Sequence, residues 1–289
     1  MAVKTLDKRR FDAFVAHTRR PELQYFAHEF EWLSSEDEKV IGALILDKVD
    51  GDFSAVVLGR DEGKRYRAID IITSIETDNE ARNWLESAIE KYSLAPESEF
   101  FQGDRGVGVD LFSPIVAENK LHPYFVALNS ESAFLSAKSI INEIMPHYID
   151  IDGNFVEQFQ TTGFDSRLWE LYINSYLTEE ELSIDRSKNA PDFMVSGYGH
   201  KAAIECVIVG RKAGAEFVIN QPPRIPDPSP ERDEAVAIRF GSPLYSKLKK
   251  KYWELPHVSG GPLIFAIADF HENQSMTWSL SSSSKKKWT

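Results

Sequence analysis

The sequence predicts two domains, an α+β N-terminal domain over residues 1–150 and an α/β C-terminal domain over residues 151–289. Three observations carry this expectation. Between residues 40 and 72, apolar or alternating runs are split by Asp50-Gly51-Asp52 and Asp61-Glu62-Gly63, the pattern of a strand meander. Near residues 191–209 a short strand, a glycine-rich reversal and a nearly unbroken apolar strand follow one another. Between the two regions, Ile149-Asp150-Ile151-Asp152-Gly153 offers a polar boundary. With 289 residues and 42% hydrophobic side chains, the chain has enough material for two cores.

Taken from the start, Leu6 to Ala16 reads as a helix with Pro21 as its stop signal. The meander follows as Val40 to Leu46, Phe53 to Leu58 and Arg65 to Ile72. Asp78 to Tyr92 then places Ala81, Trp84, Leu85, Ala88 and Ile89 on one helical face, which should pack on the meander. Asp47, Asp50 and Asp52 lack the remaining ligands of a calcium loop and read as a polar hairpin tip. From Ser93 to Pro123 the pattern dissolves into a long connection. Its run Gly103 to Gly108, GDRGVG, lacks the lysine of a phosphate loop and reads as loop. Tyr124 to Leu128 reads as a strand. Ser130 to Pro146 reads as a helix with a core stripe of Phe134, Leu135, Ala137, Ile140, Ile141 and Ile144. Phe155, Phe159 and Phe164 are expected to anchor the next helix to its sheet.

That helix begins at Phe164, with Asp165 as its cap and Leu168, Leu171, Tyr172 and Tyr176 as the inward stripe. Glu170 lies inside it. Pro191 to Val195 reads as a strand, Gly197-Tyr198-Gly199-His200 as a tight turn, and Ala202 to Val209 as a strand buried on both faces. A carboxylate in such a strand, Glu205, needs a cation or hydrogen bonds. Beyond it, Ala213 to Pro230 is too rich in proline for regular structure and reads as an exposed loop. Leu244 to Leu255 reads as a helix, with Lys247, Lys250 and Tyr252 nearer the site, and Pro262 to Phe270 as another buried strand. No strand is evident between Leu177 and Pro191, and Ser281 to Thr289 is a polar tail.

Composition narrows the partners. The chain carries a net charge of −12 with a pI near 5.1, which at first argues against nucleic acid. Residues 151–289, however, hold 16 Lys and Arg against 18 Asp and Glu, so the acidity sits in the first domain. Local basic clusters appear at Arg186 with Lys188, at Arg211-Lys212 and over Lys247 to Lys251, each also readable as a solvated face. No run approaches the roughly 18 apolar residues of a membrane span, and the N-terminus lacks the apolar core of a secretory signal. With one cysteine, Cys206, no internal disulfide is available. A cytoplasmic location is expected, with Cys206 packed in a sheet. The 7 histidines form no ligand cluster, and no GxSxG elbow is present.

Across the glycine turn, Asp192 and Glu205 should come within a few ångströms of each other, and two carboxylates that close favour a divalent cation between them. Pro191-Asp192, Glu205 and the helix acid Glu170 resemble the motif of the PD-(D/E)xK nuclease superfamily. That likeness covers roughly the C-terminal half of the chain. It implies a restriction-endonuclease-like αβββαβ core, to which the order of helix, hairpin strands, helix and apolar strand conforms. It also implies Asp192, Glu205 and a backbone carbonyl near Cys206 holding Mg²⁺ or Mn²⁺, which lowers the pKa of a water and neutralises the scissile phosphate. Glu170 would assist. Val207 stands where the family carries lysine. Lys201, Lys212, Lys247 and Lys250 are the available substitutes. Lys201 shares a face with Glu205 but lies roughly 13 Å away along the strand, so the helix lysines Lys247 and Lys250 are preferred.

The expected activity is hydrolysis of nucleic-acid phosphodiesters, DNA first, in defence or repair. Two alternatives stay open: a nuclease-fold protein that has lost its chemistry and serves as a binding module, or an unrelated α/β domain with two ordinary polar residues. For the acidic first domain, regulation of the second, mimicry of a polyanion, and contact with a protein partner or a second copy all remain open.

Overall fold

A computed structural model describes residues 2–103, 109–148, 150, 153–211, 217–219, 230–272 and 275–276, with only the backbone considered over 230–237. It contains two compact units. The first comprises residues 1–110 with 139–148, and the second comprises 111–138 with 149–289.

In the first unit, β1 (Lys4–Thr5), β2 (Ala27–Ser34), β3 (Val40–Asp47), β4 (Phe53–Arg60) and β5 (Tyr66–Ile75) form an antiparallel sheet in sequence order. The meander is present as expected, and two further strands extend it. β3 is buried from Val40 to Leu44 because both faces are covered there. Val40 and Leu44 meet Leu85 and Ile89 of α3 (Asp78–Ser93), whereas Ile41 and Ala43 join Phe11 and Val15 of α1 (Lys8–Val15). Gly42 is required by that packing, since a Cβ there would lie 2.5 Å from Leu85 Cδ1. Thr77 caps α3 by accepting from the Glu80 amide while its hydroxyl donates to the Glu80 carboxylate. Asp47 accepts from the Val49 amide at the β3–β4 tip, the hairpin role expected of it. A short α2 (Leu23–Phe26) leads into β2.

Residues 111–138 belong with the second unit, although they precede the expected boundary near residue 150. The reason is Gln160, which is fully buried. Its Nε2 donates to the carbonyls of Leu111 and Ser113 at 2.9 and 2.8 Å, and its Oε1 accepts from the Ile115 amide at 2.8 Å. Around it, Phe112 and Phe125 pack with Phe159, and Phe159 with Phe155 and Phe164. The three phenylalanines expected to bind a helix to its sheet thus bind helices to one another. Residues 124–128 are helical, not a strand. α4 (Pro123–Ser130) opens with proline at its first position, and the His122 ring accepts from the Tyr124 amide. α5 (Leu135–Ile144) is shorter than the expected helix and crosses from one unit to the other, while α6 (Phe155–Gln160) carries Gln160.

α7 (Phe164–Glu179) is followed by β6 (Ser183–Asp185), β7 (Phe193–Gly197), β8 (His200–Val209), α8 (Pro230–Leu248) and β9 (Leu263–Asp269). The second sheet is mixed. Its order is β6-β7-β8-β9, with β6, β7 and β8 antiparallel in turn and β9 parallel to β8. Gly197 pairs with His200 across Tyr198 and Gly199, whose φ values of 52° and 78° suit the two-residue hairpin turn.

The inward stripe of α7 keeps Leu171, which is 2% exposed, from the expected set and otherwise differs. Ile173 and Leu177 join the core with Phe193, Val195, Ile204 and Cys206, whereas Tyr172 and Tyr176 are 60% and 49% exposed. Asp165 does not cap α7. Gly163 occupies that position, and Asp165 pairs with Arg211. α8 begins well before Leu244 and ends at Leu248, and Lys251 adopts a left-handed conformation at φ 50° that breaks the helix. β9 is half-buried, with Ile264 48% exposed. Lys212, most of the expected 213–230 loop, residues 104–108 of the glycine-rich run, and the tail 281–289 lie outside the described residues. No helix among the described residues is long and apolar enough to cross a membrane.

Candidate functional site

The candidate site is built on the β7–β8 hairpin. The register that pairs Phe193 with Ile204 sets Asp192 opposite Glu205. The Asp192 amide donates to Glu205 Oε2 at 3.3 Å, and the Cys206 amide donates to Asp192 Oδ2 at 2.7 Å. Two acids separated by thirteen positions in sequence are thereby tied through main-chain groups. Among the described residues no hydrogen bond reaches Asp192 Oδ1.

Glu205 is 3% exposed and sits between Ile204 and Cys206, which turn into the α7 core. Alternation sends it to the other side of the strand. There the Lys247 ammonium of α8 donates to Oε1 at 2.5 Å, and the Tyr252 hydroxyl donates to the same oxygen at 2.6 Å. The buried carboxylate therefore has an ammonium and a hydroxyl in place of water. Burial, and then the hydrogen bond given to Glu205, push the Tyr252 phenol well above its ordinary range.

Asp192 is less fully compensated. Burial first, then the neighbouring charge of Glu205, with a further push from Glu170, raise its carboxyl to about 6 against the Cys206 amide and Lys247. Burial and the same acids push the Cys206 thiol up. Cys206 is a packed, unreactive sulfur, and its contribution to the site is its main chain.

Glu170 is 3% exposed on α7 and lines a small cleft together with Asp192, though not with Glu205, Lys247 or Tyr252. Both its oxygens are held: Oε1 by Arg186 at 2.5 Å and Oε2 by Arg167 at 2.7 Å. It is therefore a braced acid, not an open ligand. The cleft is lined by Arg167, Glu170, Arg186, Lys188, Asn189 and Asp192 together with Asp150 and Phe155, and its volume of about 30 Å³ is room for a water or a small cation.

The preferred substitutes for the absent strand lysine have separate fates. Lys247 is in contact with Glu205, whereas the Lys250 ammonium lies 5.7 Å from the centre of the Tyr252 ring. Val207 is buried, and Lys201 is exposed at the start of β8. Neither the Tyr252 hydroxyl nor Arg186 has a role legible in the sequence beyond proximity and local charge. The missed signal at Tyr252 is its place one turn beyond Lys247, past a helix break that only the backbone reveals.

Among the described residues, no group of three or more His, Cys, Asp and Glu side chains is gathered to hold a metal ion. The cation site implied by the sequence is smaller, two carboxylates and a main-chain carbonyl at Cys206. The residues present fit it once Glu205, whose two oxygens are held by Lys247, Tyr252 and the Asp192 amide, exchanges one of those hydrogen bonds for the cation. Asp192 keeps an unbonded oxygen, and of the two causes that raise its pKa, burial first and the charge of Glu205 second, the second is what a divalent cation would relieve. No family model, no curated protein and no solved structure matches the chain.

Proposed function

We propose that the second unit is a divalent-cation-dependent phosphodiester hydrolase of the PD-(D/E)xK kind, acting in the cytoplasm on nucleic acid, DNA first, in which Lys247 of α8 replaces the strand lysine. The observation that carries this reading is the meeting of Lys247 with Glu205 at 2.5 Å, directly across the hairpin from Asp192. Support also comes from the order of elements. α7, the antiparallel β6, β7 and β8, then α8 and the parallel β9 follow the αβββαβ sequence that the motif implies, and the short β6 fills the place where no strand was evident.

In this reading Asp192, Glu205 and the Cys206 carbonyl hold Mg²⁺ or Mn²⁺, which when bound activates water and neutralises charge on the scissile phosphate. Lys247 has two tasks. It gives the buried Glu205 carboxylate a counter-charge, and it presents a positive charge where the phosphate becomes more negative during displacement. Tyr252 fixes the same Glu205 oxygen and so sets the carboxylate's rotation. The Cys206 amide fixes one oxygen of Asp192, and Glu170 aligns Arg167 and Arg186 along the cleft wall.

The test is cleavage of plasmid and of labelled oligonucleotides with Mg²⁺, with Mn²⁺ and with a chelator. Asp192→Ala and Glu205→Ala should each abolish cleavage without loss of fold, and cleavage surviving both would overturn the assignment. A second reading, a binding module without turnover, is favoured by one observation: Glu170 is wholly committed to two arginines. Binding of nucleic acid with no cleavage under either cation would select it.

A further inference from the structure

We infer that the segment from Tyr245 to Glu254 is a docking track for single-stranded nucleic acid, laid along the edge of the Asp192–Glu205 site. The inference deepens the proposed hydrolase by naming the form of its substrate, and rests on that reading for the reactive centre beside the track.

The segment is pinned to the site at two points, because Lys247 and Tyr252 donate to the same oxygen of Glu205. Between those points Lys249, Lys250 and Lys251 are all exposed. They stand within about one helical turn, ~5 Å along the axis, of a residue that touches the carboxylate. The left-handed Lys251 turns the chain so that Tyr252 goes inward, 4% exposed, while Trp253 goes outward, 43% exposed. Tyr245, one turn earlier on α8, is 60% exposed.

Two features identify the occupant. The first is uncompensated charge. Many cations of this acidic chain are paired with carboxylates, including Arg167, Arg186, Arg211 and Lys247 nearby. Among the described residues Lys249 and Lys250 have no carboxylate partner, and their ammonium groups rest over the rings of Tyr245 and Tyr252 at 4.4 and 5.7 Å. Neighbouring lysines without counter-charges favour a polyanion such as a phosphate backbone. The second is the pair of exposed rings flanking the lysines. An aromatic face at a basic track takes an unpaired base, which a duplex keeps inside its own stack.

The experiment measures fluorescence anisotropy of the full chain with a labelled oligothymidylate and with a duplex of equal length, in EDTA so that binding is read without cleavage. The single strand should bind about tenfold more tightly than the duplex. Trp253→Ala and Tyr245→Ala should each weaken the single strand about tenfold and leave the duplex unchanged, while Trp253→Phe keeps most of the affinity. Lys249→Gln and Lys250→Gln should each reduce the slope of log affinity against log salt by about 0.7. All of these side chains are on the surface, and unchanged melting temperatures verify folding. Equal binding of duplex, displacement by polyglutamate as efficient as by unlabelled oligothymidylate, or no effect of Trp253→Ala would overturn the inference. The expected binding pattern without Mg²⁺- or Mn²⁺-dependent cleavage would remove the hydrolase reading and leave the track standing.

Discussion

Asp192 holds its proton to a pH of about 6 because burial and the adjacent Glu205 both oppose its ionisation. The folded-state value lies above the ordinary 3.8, so this group stabilises the fold fully below pH 3.8 and that contribution is lost as pH rises through 6. Above pH 6 the ionised acid costs the cation-free protein about 3 kcal/mol relative to a solvated carboxyl, taking ~1.4 kcal/mol per unit. Asp192→Asn should accordingly melt at a higher temperature than the parent at pH 8, with the difference vanishing below pH 4. Added Mg²⁺ should stabilise the parent and not the variant. Calorimetry at the two pH values, with and without Mg²⁺, checks both statements. Cleavage by the parent should rise with pH through 6, as Asp192 ionises. At Lys247, replacement by Met should lower cleavage by about 10²–10³-fold, the loss typical of one stabilising group in a reactive site, and should also lower the melting temperature by leaving Glu205 without its cation. Lys247→Arg should recover the stability more fully than the rate. At this scale the acids were legible because a carboxylate inside an apolar strand demands an explanation. The clamps on Glu170 and the Tyr252 hydroxyl were not, since nothing in local spacing tells which arginine or tyrosine will return from a distant element.

The elements were legible where periodicity was long. α3, β3, β4 and β8 run eight to sixteen residues, and their patterns leave little ambiguity between strand and helix. Short apolar runs misled. Residues 124–128, YFVAL, have a strand-like composition, yet Pro123 and His122 start a helix there. β6, at three residues, is too brief to show an alternation and exists because β7 offers it an edge. On α7, Tyr172 and Tyr176 have the right spacing for a core stripe, but the adjacent stripe with Ile173 and Leu177 is the one that faces the sheet. α6 carries a prediction of its own. Gln160→Ala would strand buried main-chain groups at Leu111, Ser113 and Ile115 and should destabilise the second unit by about 3 kcal/mol, readable as a shift in the denaturation midpoint. Gln160→Leu should do no better, because the loss is of polar partners and not of volume.

For the whole molecule, the division into an acidic first part and a nearly balanced second part was readable from charge, but the chain's route between the units was not. Residues 111–123 show no local pattern, the elements read after them carry no sign of which unit they join, and the membership of 111–138 is decided by one glutamine and a set of phenylalanines far along the chain. A fragment beginning at residue 151 should therefore expose Phe159 and Phe164, bind hydrophobic dyes and fail to melt cooperatively. A fragment beginning at residue 111 should retain a cooperative transition by circular dichroism. The interleaving also bears on how the protein is made. Residues 139–148, which complete the first unit, emerge from the ribosome before Phe155 to Phe164 do. The first unit can close early, while Phe112 and Phe125 stay exposed until the partners that cover them emerge behind it.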